Sequence, residues 1–168
     1  MREVVAHTTA PFRTGMMRTL GELVLARGDV NRMADRAARR DAGRMSAEEL
    51  LAQVRDNVDH PWAPPGGGPH AALSHDVIHG LDITVGLGLA RRPPVERVGL
   101  VLSGLRPRNV AFFGVDLTGV ELRATDLDWR FGDGQPVDGT AQDLLLAVCG
   151  RRLPAGRLTG AAADRFVG

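Results

Sequence analysis

Two histidines that stand four residues apart carry the first chemical signal in this chain. His75 and His79 lie in the segment SHDVIHGLD, and Asp82 follows three residues later. On an α-helix, residues four apart leave the same face with Cβ atoms roughly 6 Å apart, so both imidazoles can reach one divalent cation such as zinc. Asp82 falls within the same wedge of about 60°. The spacing therefore predicts a His-His-Asp group on one helix face, at the edge of the apolar arc of that helix.

A divalent metal held by only two protein side chains would be bound weakly, so a third ligand is expected. His7 is the best candidate because it stands in a helical, apolar context. His60 and His70 instead flank a loop that is rich in proline and glycine. We therefore predict a metal site formed by His7 and the two helix histidines.

Other interpretations of these residues remain open. A His-x-x-x-His pair also arises by chance on amphipathic helices. The zincin motif His-Glu-x-x-His is a second alternative, because Asp76 stands where zincins place a glutamate base. Aspartate is one methylene shorter, however, and no histidine follows position 79, so this alternative is disfavoured. Asp82 either orients a ligand histidine through its ring N–H or is an ordinary carboxylate on the helix face.

The composition indicates a globular protein and excludes several classes. Of the 168 residues, 43% are hydrophobic and 24% are charged, which provides enough apolar surface for a core and excludes a disordered chain. All 21 basic residues are arginine, and the net charge of +1 gives no sign of a nucleic-acid partner. Without an apolar run of about eighteen residues or a signal-peptide pattern, we expect a cytoplasmic protein with no membrane partner. The single cysteine, Cys149, excludes an internal disulfide framework.

The hydrophobic pattern predicts helices in the first two thirds of the chain and a mixed final third. Apolar residues at spacings of three and four predict helices in this order: one that carries His7 and ends or bends near Pro11, then 12–28, 31–44, 47–59 with a Ser46/Glu49 capping box, 73–85, and one that starts at Pro94. Residues 61–70 are predicted to form a loop.

Beyond Pro107 the period of the pattern changes. Alternating apolar residues predict a strand over 120–124, and the alternation continues to Phe131 before a turn at Asp133-Gly134. A second strand is expected over 136–139, followed by an apolar helix over 141–149. The expected fold class is therefore α+β, mainly α.

Several motifs, taken in order, resemble the mycothiol-dependent maleylpyruvate isomerase family, whose N-terminal part is a DinB-like helical bundle. The motifs are REVVAH at 2–7 followed by TAPF at 9–12, ARGD at 26–29 with NRM at 31–33, HGLDI at 79–83 followed by LG at 87–88, ATDLDW at 124–129, GDG at 132–134, VDG at 137–139, and LLL at 144–146 running to GR at 150–151. The resemblance implies a metal-binding bundle over 1–92 and a small α+β module over 93–168.

The resemblance also implies a site and a chemistry. It places metal ligands at His7, His75 and His79, with zinc as the preferred metal. Because all three ligands would be neutral, the full divalent charge would polarise the molecule at the open coordination position. Mycothiol would be the second cofactor, and a metal-bound thiolate would attack a small electrophilic substrate in an isomerase or S-transferase. Arg151 would bind a substrate carboxylate and Arg123 would assist in binding the cofactor, although both could also be exposed arginines without such a role.

Two departures from the family pattern matter. Members usually begin with a further helix before the His7 segment, so we expect an apolar groove that is exposed or covered by a partner chain, for example in a homodimer. Thr84, Val85 and Gly86 follow Ile83 where many members have two arginines and a proline, which argues against isomerisation of a dicarboxylate.

The alternative function is therefore a non-catalytic DinB-like metal-binding or interaction protein. By analogy alone, the C-terminal module could also bind an apolar ligand, as sterol-carrier-like folds do.

Overall fold

Eight α-helices and one small mixed sheet make up the computed structural model, which describes residues 1–168. The predicted α+β class, mainly α, is therefore confirmed. The chain forms two compact units, Met1–Gly68 and Pro69–Gly168. The helix that carries His75 and His79 consequently belongs to the unit that contains the sheet, whereas the sequence prediction placed it with the N-terminal helices.

The first unit is entirely helical. Its elements are α1 (Arg2–Arg13), α2 (Met16–Leu25), α3 (Val30–Arg44) and α4 (Ala47–Asp56). α1 packs against α3 and α4 around a core built on Ala6, Ala42 and Leu50, with Val5 and Met45 beside it. Because two of the three central residues are alanines, this core buries little apolar area.

α1 ends close to Pro11, as the sequence predicted. α1 continues to Arg13, which donates to Asp41 at 3.0 Å and to Thr9 at 2.5 Å. Proline removes one helical hydrogen bond, and these contacts of Arg13 stabilise the turn beyond it. The next helix consequently begins at Met16 rather than at Phe12.

The other helix boundaries of this unit follow local signals. Gly28, with φ +79°, donates its N–H to the Leu23 carbonyl and so ends the turn after α2, as the sequence predicted. Ser46 and Glu49 form the predicted capping box at the start of α4. α4 ends at Asp56, earlier than the predicted Asp59.

The second unit contains four helices, four strands and a 3-10 helix. They are α5 (Gly68–Gly86), α6 (Val95–Ser103), α7 (Pro107–Phe112), β1 (Val120–Ala124), β2 (Arg130–Gly132), β3 (Gln135–Gly139), α8 (Ala141–Val148), β4 (Leu158–Thr159) and the 3-10 helix Ala163–Phe166. The strands and the helix predicted between 120 and 149 are confirmed within one or two residues. β4 and the 3-10 helix were not predicted.

Two prolines lie in the first turn of a helix. α5 begins at Gly68 with Pro69 in its first turn, so the predicted loop over 61–70 ends earlier. Pro107 likewise opens α7, where the Asn109 side chain accepts from the backbone N–H of Arg106. Proline suits the first turn of a helix because the N–H it lacks would have no helical partner there.

The sheet has the order β2-β1-β3-β4. β2 pairs with β1 antiparallel, while β3 pairs with β1 in parallel, with Leu122 opposite both Phe131 and Val137. To reach the far side of β1, the chain passes directly over Gly119. A Cβ on Gly134, whose φ is +134°, would collide with the Gly119 backbone, so the crossing requires glycine.

The core of this unit holds α5 in a fixed orientation. All eight residues of α8 are buried, and α8 packs against both α6 and β1. Val77, Ile78 and Leu81 of α5 belong to the same core, with Val85 packed at its edge. The predicted apolar arc of α5 is therefore confirmed. No helix of the chain combines the length and the apolar character that a membrane crossing requires.

Asp41 provides a test of how the first unit is held together. Its carboxylate accepts from Arg13 and Arg40, each at 3.0 Å. Burial raises the pKa of Asp41, but the hydrogen bonds from the two arginines outweigh it and lower that pKa below 3.8. The ionised form therefore stabilises the fold above pH 3.8, and this contribution disappears as the pH falls through the lowered pKa.

We expect Asp41→Asn to lower the free energy of unfolding by on the order of 1–3 kcal/mol at pH 7. The difference from wild type should disappear in strong acid. Denaturant unfolding followed by circular dichroism across this pH range measures it. Asp35→Asn is the matched control, because the Asp35–Arg39 pair is exposed and should contribute below about 1 kcal/mol. Equal effects of the two substitutions would contradict the assignment.

Candidate metal centre

His75 and His79 lie on one face of α5, as their spacing predicted. Their ring centroids are 4.6 Å apart, and the rings meet edge to face at 77°. The side chains are 13% and 20% exposed, so both imidazoles are largely removed from solvent. Because the opposite arc of α5 is fixed in the core, the two rings are held in a defined direction.

The environment of His75 favours the neutral imidazole. Burial is the main cause that lowers the pKa of His75 below 6.5, and the neighbouring His79 lowers it further. The exposed Asp76, 3.3 Å from His75 Nδ1, raises the pKa of His75, but by less than burial and His79 lower it. His75 is therefore uncharged at neutral pH, which is the form that binds metals.

Asp82 orients His79. Oδ2 of Asp82 lies 3.0 Å from Nδ1 of His79. Burial alone would raise the pKa of Asp82, but the hydrogen bonds from His79 and Arg151 lower it to about 2. Asp82 is therefore ionised and acts as the acceptor, so His79 donates from Nδ1 and turns Nε2 away from the carboxylate. Of the two roles left open by the sequence, this geometry fits the orienting one.

Arg151 completes the group from the end of α8. Its Nε donates to Asp82 Oδ1 at 2.9 Å and its Nη2 donates to Oδ2 at 2.7 Å, which is a two-bond arginine–carboxylate pair. Nη1 donates to the Cys149 carbonyl at 2.6 Å, and the guanidinium lies 6.0 Å from the Phe113 ring centre. Gly150, with φ +77°, turns the chain so that Arg151 leaves α8 in this direction.

This pairing gives Arg151 a partner that sequence reasoning missed. Arg151 was predicted to bind a substrate carboxylate, and the carboxylate that it binds here is Asp82. The substrate role stays a prediction, and it would require Arg151 to share or exchange its partner. Phe113, beside the guanidinium, was also missed, since no local pattern connects it with Arg151.

His7 lies on α1 and is half-buried. His75 and His79 each offer a ring nitrogen from one face of α5, and His7, which belongs to the other unit, stays the predicted third ligand. Three imidazoles are a donor set that zinc commonly takes. The residues present therefore fit the metal.

The remaining histidines have other partners. The His60 ring packs against Phe12, with ring centres 4.9 Å apart. His70 lies 3.0 Å from the Leu100 carbonyl through its Nε2 atom. The choice of His7 over these two as the third ligand stays a prediction.

Arg123 lies on β1, and its guanidinium pairs with Glu121 on the same strand. It is not part of the hydrogen-bonded group formed by His79, Asp82 and Arg151. Its predicted role in cofactor binding has no geometric support here and stays a prediction.

Cys149 is a buried thiol. It is 4% exposed at the C-terminal end of α8. Burial is the main cause that raises its pKa to about 12. Because a thiol attacks only as its thiolate, Cys149 is not available as a nucleophile at neutral pH.

Comparisons with known proteins do not add a relative. The chain matches no protein-family model, no curated protein and no solved structure. The family resemblance therefore depends on the motifs alone. The function has to be argued from the geometry of the site.

The Asp82–Arg151 pair makes a testable contribution to stability. Arg151→Met would leave the Asp82 carboxylate, which is 16% exposed, without its main counter-charge. We expect the free energy of unfolding to fall by about 3 kcal/mol. Denaturant unfolding followed by circular dichroism measures this change.

Arg39→Met is the matched control, since the Arg39–Asp35 pair is exposed and should contribute below about 1 kcal/mol. Adding Asp82→Asn to Arg151→Met should recover part of the loss, because the buried charge is then removed as well. Equal losses for the two arginine variants would overturn this account of the pair.

Proposed function

We propose that this protein is a metal-dependent and thiol-dependent isomerase or S-transferase of the maleylpyruvate isomerase family, with a DinB-like helical bundle. The observation that carries the proposal is the pair of largely buried imidazoles His75 and His79 on one face of α5, with His79 oriented by Asp82. His7 is proposed as the third ligand. A divalent metal, zinc by preference, is the cofactor that such a donor set would hold.

A metal bound by three neutral ligands would supply Lewis-acid chemistry and would lower the pKa of a water or thiol at its open position. The chain's own residues prepare for this. His75 is kept neutral by burial, and Asp82 keeps the His79 proton on Nδ1, with Arg151 holding Asp82 in place. Such partners of ligand histidines commonly raise metal affinity by about 10- to 100-fold.

The sulfur would come from a second cofactor. The chain's only cysteine is buried, and its pKa of about 12 keeps it protonated. A reaction that needs a thiolate must therefore use a low-molecular-weight thiol. The motif resemblance identifies mycothiol as the candidate.

Two reactions fit a thiolate and a small electrophile. In an isomerisation, the sulfur adds to a conjugated double bond, the resulting single bond rotates, and elimination returns the thiol unchanged. In a transfer, the sulfur displaces a leaving group and remains on the product. Neither reaction needs an oxidant or a reductant.

One observation favours the alternative of a metal-binding protein without catalysis. Arg151, which was expected to hold a substrate carboxylate, already has two donor atoms bound to Asp82. The absence of the arginine pair after Ile83 points the same way. The two functions share the metal site and differ in turnover, so two separate measurements distinguish them.

The metal proposal is tested by the zinc content of purified protein, measured by mass spectrometry. We expect about one zinc per chain in the wild type. His7→Ala, His75→Ala and His79→Ala should each weaken zinc binding at least about tenfold in competition with a chelator, because two imidazoles remain.

His60→Ala and His70→Ala are matched controls, since these two histidines lie outside the group. They should keep the wild-type zinc content. If all five variants bound zinc equally, the three-histidine site would be wrong. Circular dichroism shows whether each variant is folded.

The thiol proposal is tested by turnover. Zinc-loaded protein with mycothiol should isomerise maleylpyruvate or consume the thiol with a panel of small electrophiles. His79→Ala should reduce the rate at least about tenfold, while Cys149→Ala should leave it within about twofold, because that thiol is not the nucleophile. Zinc binding without turnover on any compound of the panel would refute the enzyme and support the non-catalytic alternative.

A further inference from the structure

A small cavity in the second unit is lined by residues at the start of α6 and at the start of α8. Its volume is about 90 Å³. Its lining combines an apolar wall with three polar side chains, those of Arg92, Asp126 and Gln142. We call it the α8 cavity.

Gln142 is the unusual residue of the α8 cavity. It is the second residue of α8, is 8% exposed, and has a side-chain oxygen, Oε1, without a hydrogen-bond partner. A buried acceptor without a donor lowers the stability of the fold, because the hydrogen bond to water that it loses on folding is not replaced. An aliphatic side chain would fill the position without this cost. The fold alone therefore does not account for a glutamine here.

The neighbouring polar groups at the start of α8 are satisfied within the chain. Thr140 Oγ1 donates to Asp143 Oδ2 at 2.8 Å and accepts from the Asp143 N–H at 3.3 Å. The Ala141 N–H donates to Asp126 Oδ1 at 2.7 Å. Gln142 therefore stands out at this helix end as the buried acceptor that lacks a donor.

The polar groups of the α8 cavity select the chemistry of a ligand. Oε1 of Gln142 requires an N–H or O–H donor. Asp126 offers a second acceptor, since Ala141 uses only its Oδ1 atom, and Arg92 offers donors. The charges of Asp126 and Arg92 balance, which favours a neutral ligand over an ion. A primary amide is neutral and presents two N–H donors beside one carbonyl acceptor, so it matches this set.

The volume of the α8 cavity limits the bound group to a few atoms. A protein cavity of about 150 Å³ holds benzene, which has six non-hydrogen atoms. In proportion, about 90 Å³ accommodates about four. A primary amide and the carbon attached to it are of this size. Pro93, Val95 and Val98 form an apolar wall that suits the carbon.

We propose that the α8 cavity binds the primary amide end of a small molecule. The amide donates an N–H to Gln142 Oε1, and its carbonyl accepts from Arg92. The aliphatic carbon next to the amide packs on Pro93, Val95 and Val98. The proposal is independent of the metal and thiol chemistry, because no residue that lines the cavity belongs to the histidine site.

The test is an NMR titration of the full chain with acetamide as the probe. The side-chain amide signals of Gln142 should shift to saturation, with a dissociation constant on the order of 1–10 mM for so small a ligand. Acetone and acetate have nearly the same shape but carry no N–H donor. Each should therefore bind at least about tenfold more weakly than acetamide.

Gln142→Met removes the unpartnered oxygen and keeps a side chain of similar length, so circular dichroism should show a folded chain. Its acetamide binding should be weaker by at least about tenfold, because the acceptor is gone. Gln135→Met is the matched control, since Gln135 is exposed and does not line the cavity. It should bind acetamide within about twofold of the wild type.

Arg92→Met tests the other end of the amide without a change inside the core, because Arg92 is exposed. It should weaken acetamide binding at least about threefold, since the carbonyl loses its donor. Arg91→Met is the control, because Arg91 is also exposed but does not line the cavity. It should leave acetamide binding unchanged.

Three results would overturn the proposal. A titration without saturable shifts would leave water as the occupant of the α8 cavity. Acetone or acetate binding as tightly as acetamide would show that no N–H donor is recognised. Acetamide binding that neither Gln142→Met nor Arg92→Met weakens would place the amide at another surface.

Discussion

The carboxylate of Asp82 is the point on which the candidate site depends. It accepts one hydrogen bond from His79 on the same helix and two from Arg151, which lies far along the chain. One ionised side chain therefore orients His79, a candidate metal ligand, and ties the end of α8 to α5. Because Asp82 is largely buried, these donors are what keep it charged.

The two units use different means to hold their helices. In the second unit, leucines and valines of α5, α6 and α8 form one large core with residues of the sheet. In the first unit the core is small, and the Arg13–Asp41 ion pair links α1 to α3. A small core leaves apolar residues such as Met17 and Val24 outside it. That surplus is what makes association of the first unit with another polypeptide energetically reasonable.

Local signals made much of this structure predictable. The capping box at Ser46, the alternation in β1 and the common wedge of His75, His79 and Asp82 each depend on neighbours within a few residues. The pairing of Asp82 with Arg151 could not be predicted, because no periodicity relates residues that only the tertiary fold brings together. The parallel pairing of β3 with β1 and the short helix after Pro107 were missed for related reasons. In the first case, the passage of the chain over Gly119 decides that β3 pairs with β1. In the second case, proline breaks a helix in its interior but suits its first turn, so Pro107 alone does not tell which of the two applies.

The glycine crossing over Gly119 also bears on how the sheet forms. It allows β1, β2 and β3 to pair within the continuous segment 120–139, although one of the pairings is parallel. Parallel strands ordinarily require a long connection, usually with a helix, and so close large loops. Here both partners of β1 come from short sequence separations, which keeps the loop-closure entropy small. The three central strands can therefore assemble early and quickly, before β4 and the C-terminal 3-10 helix join them.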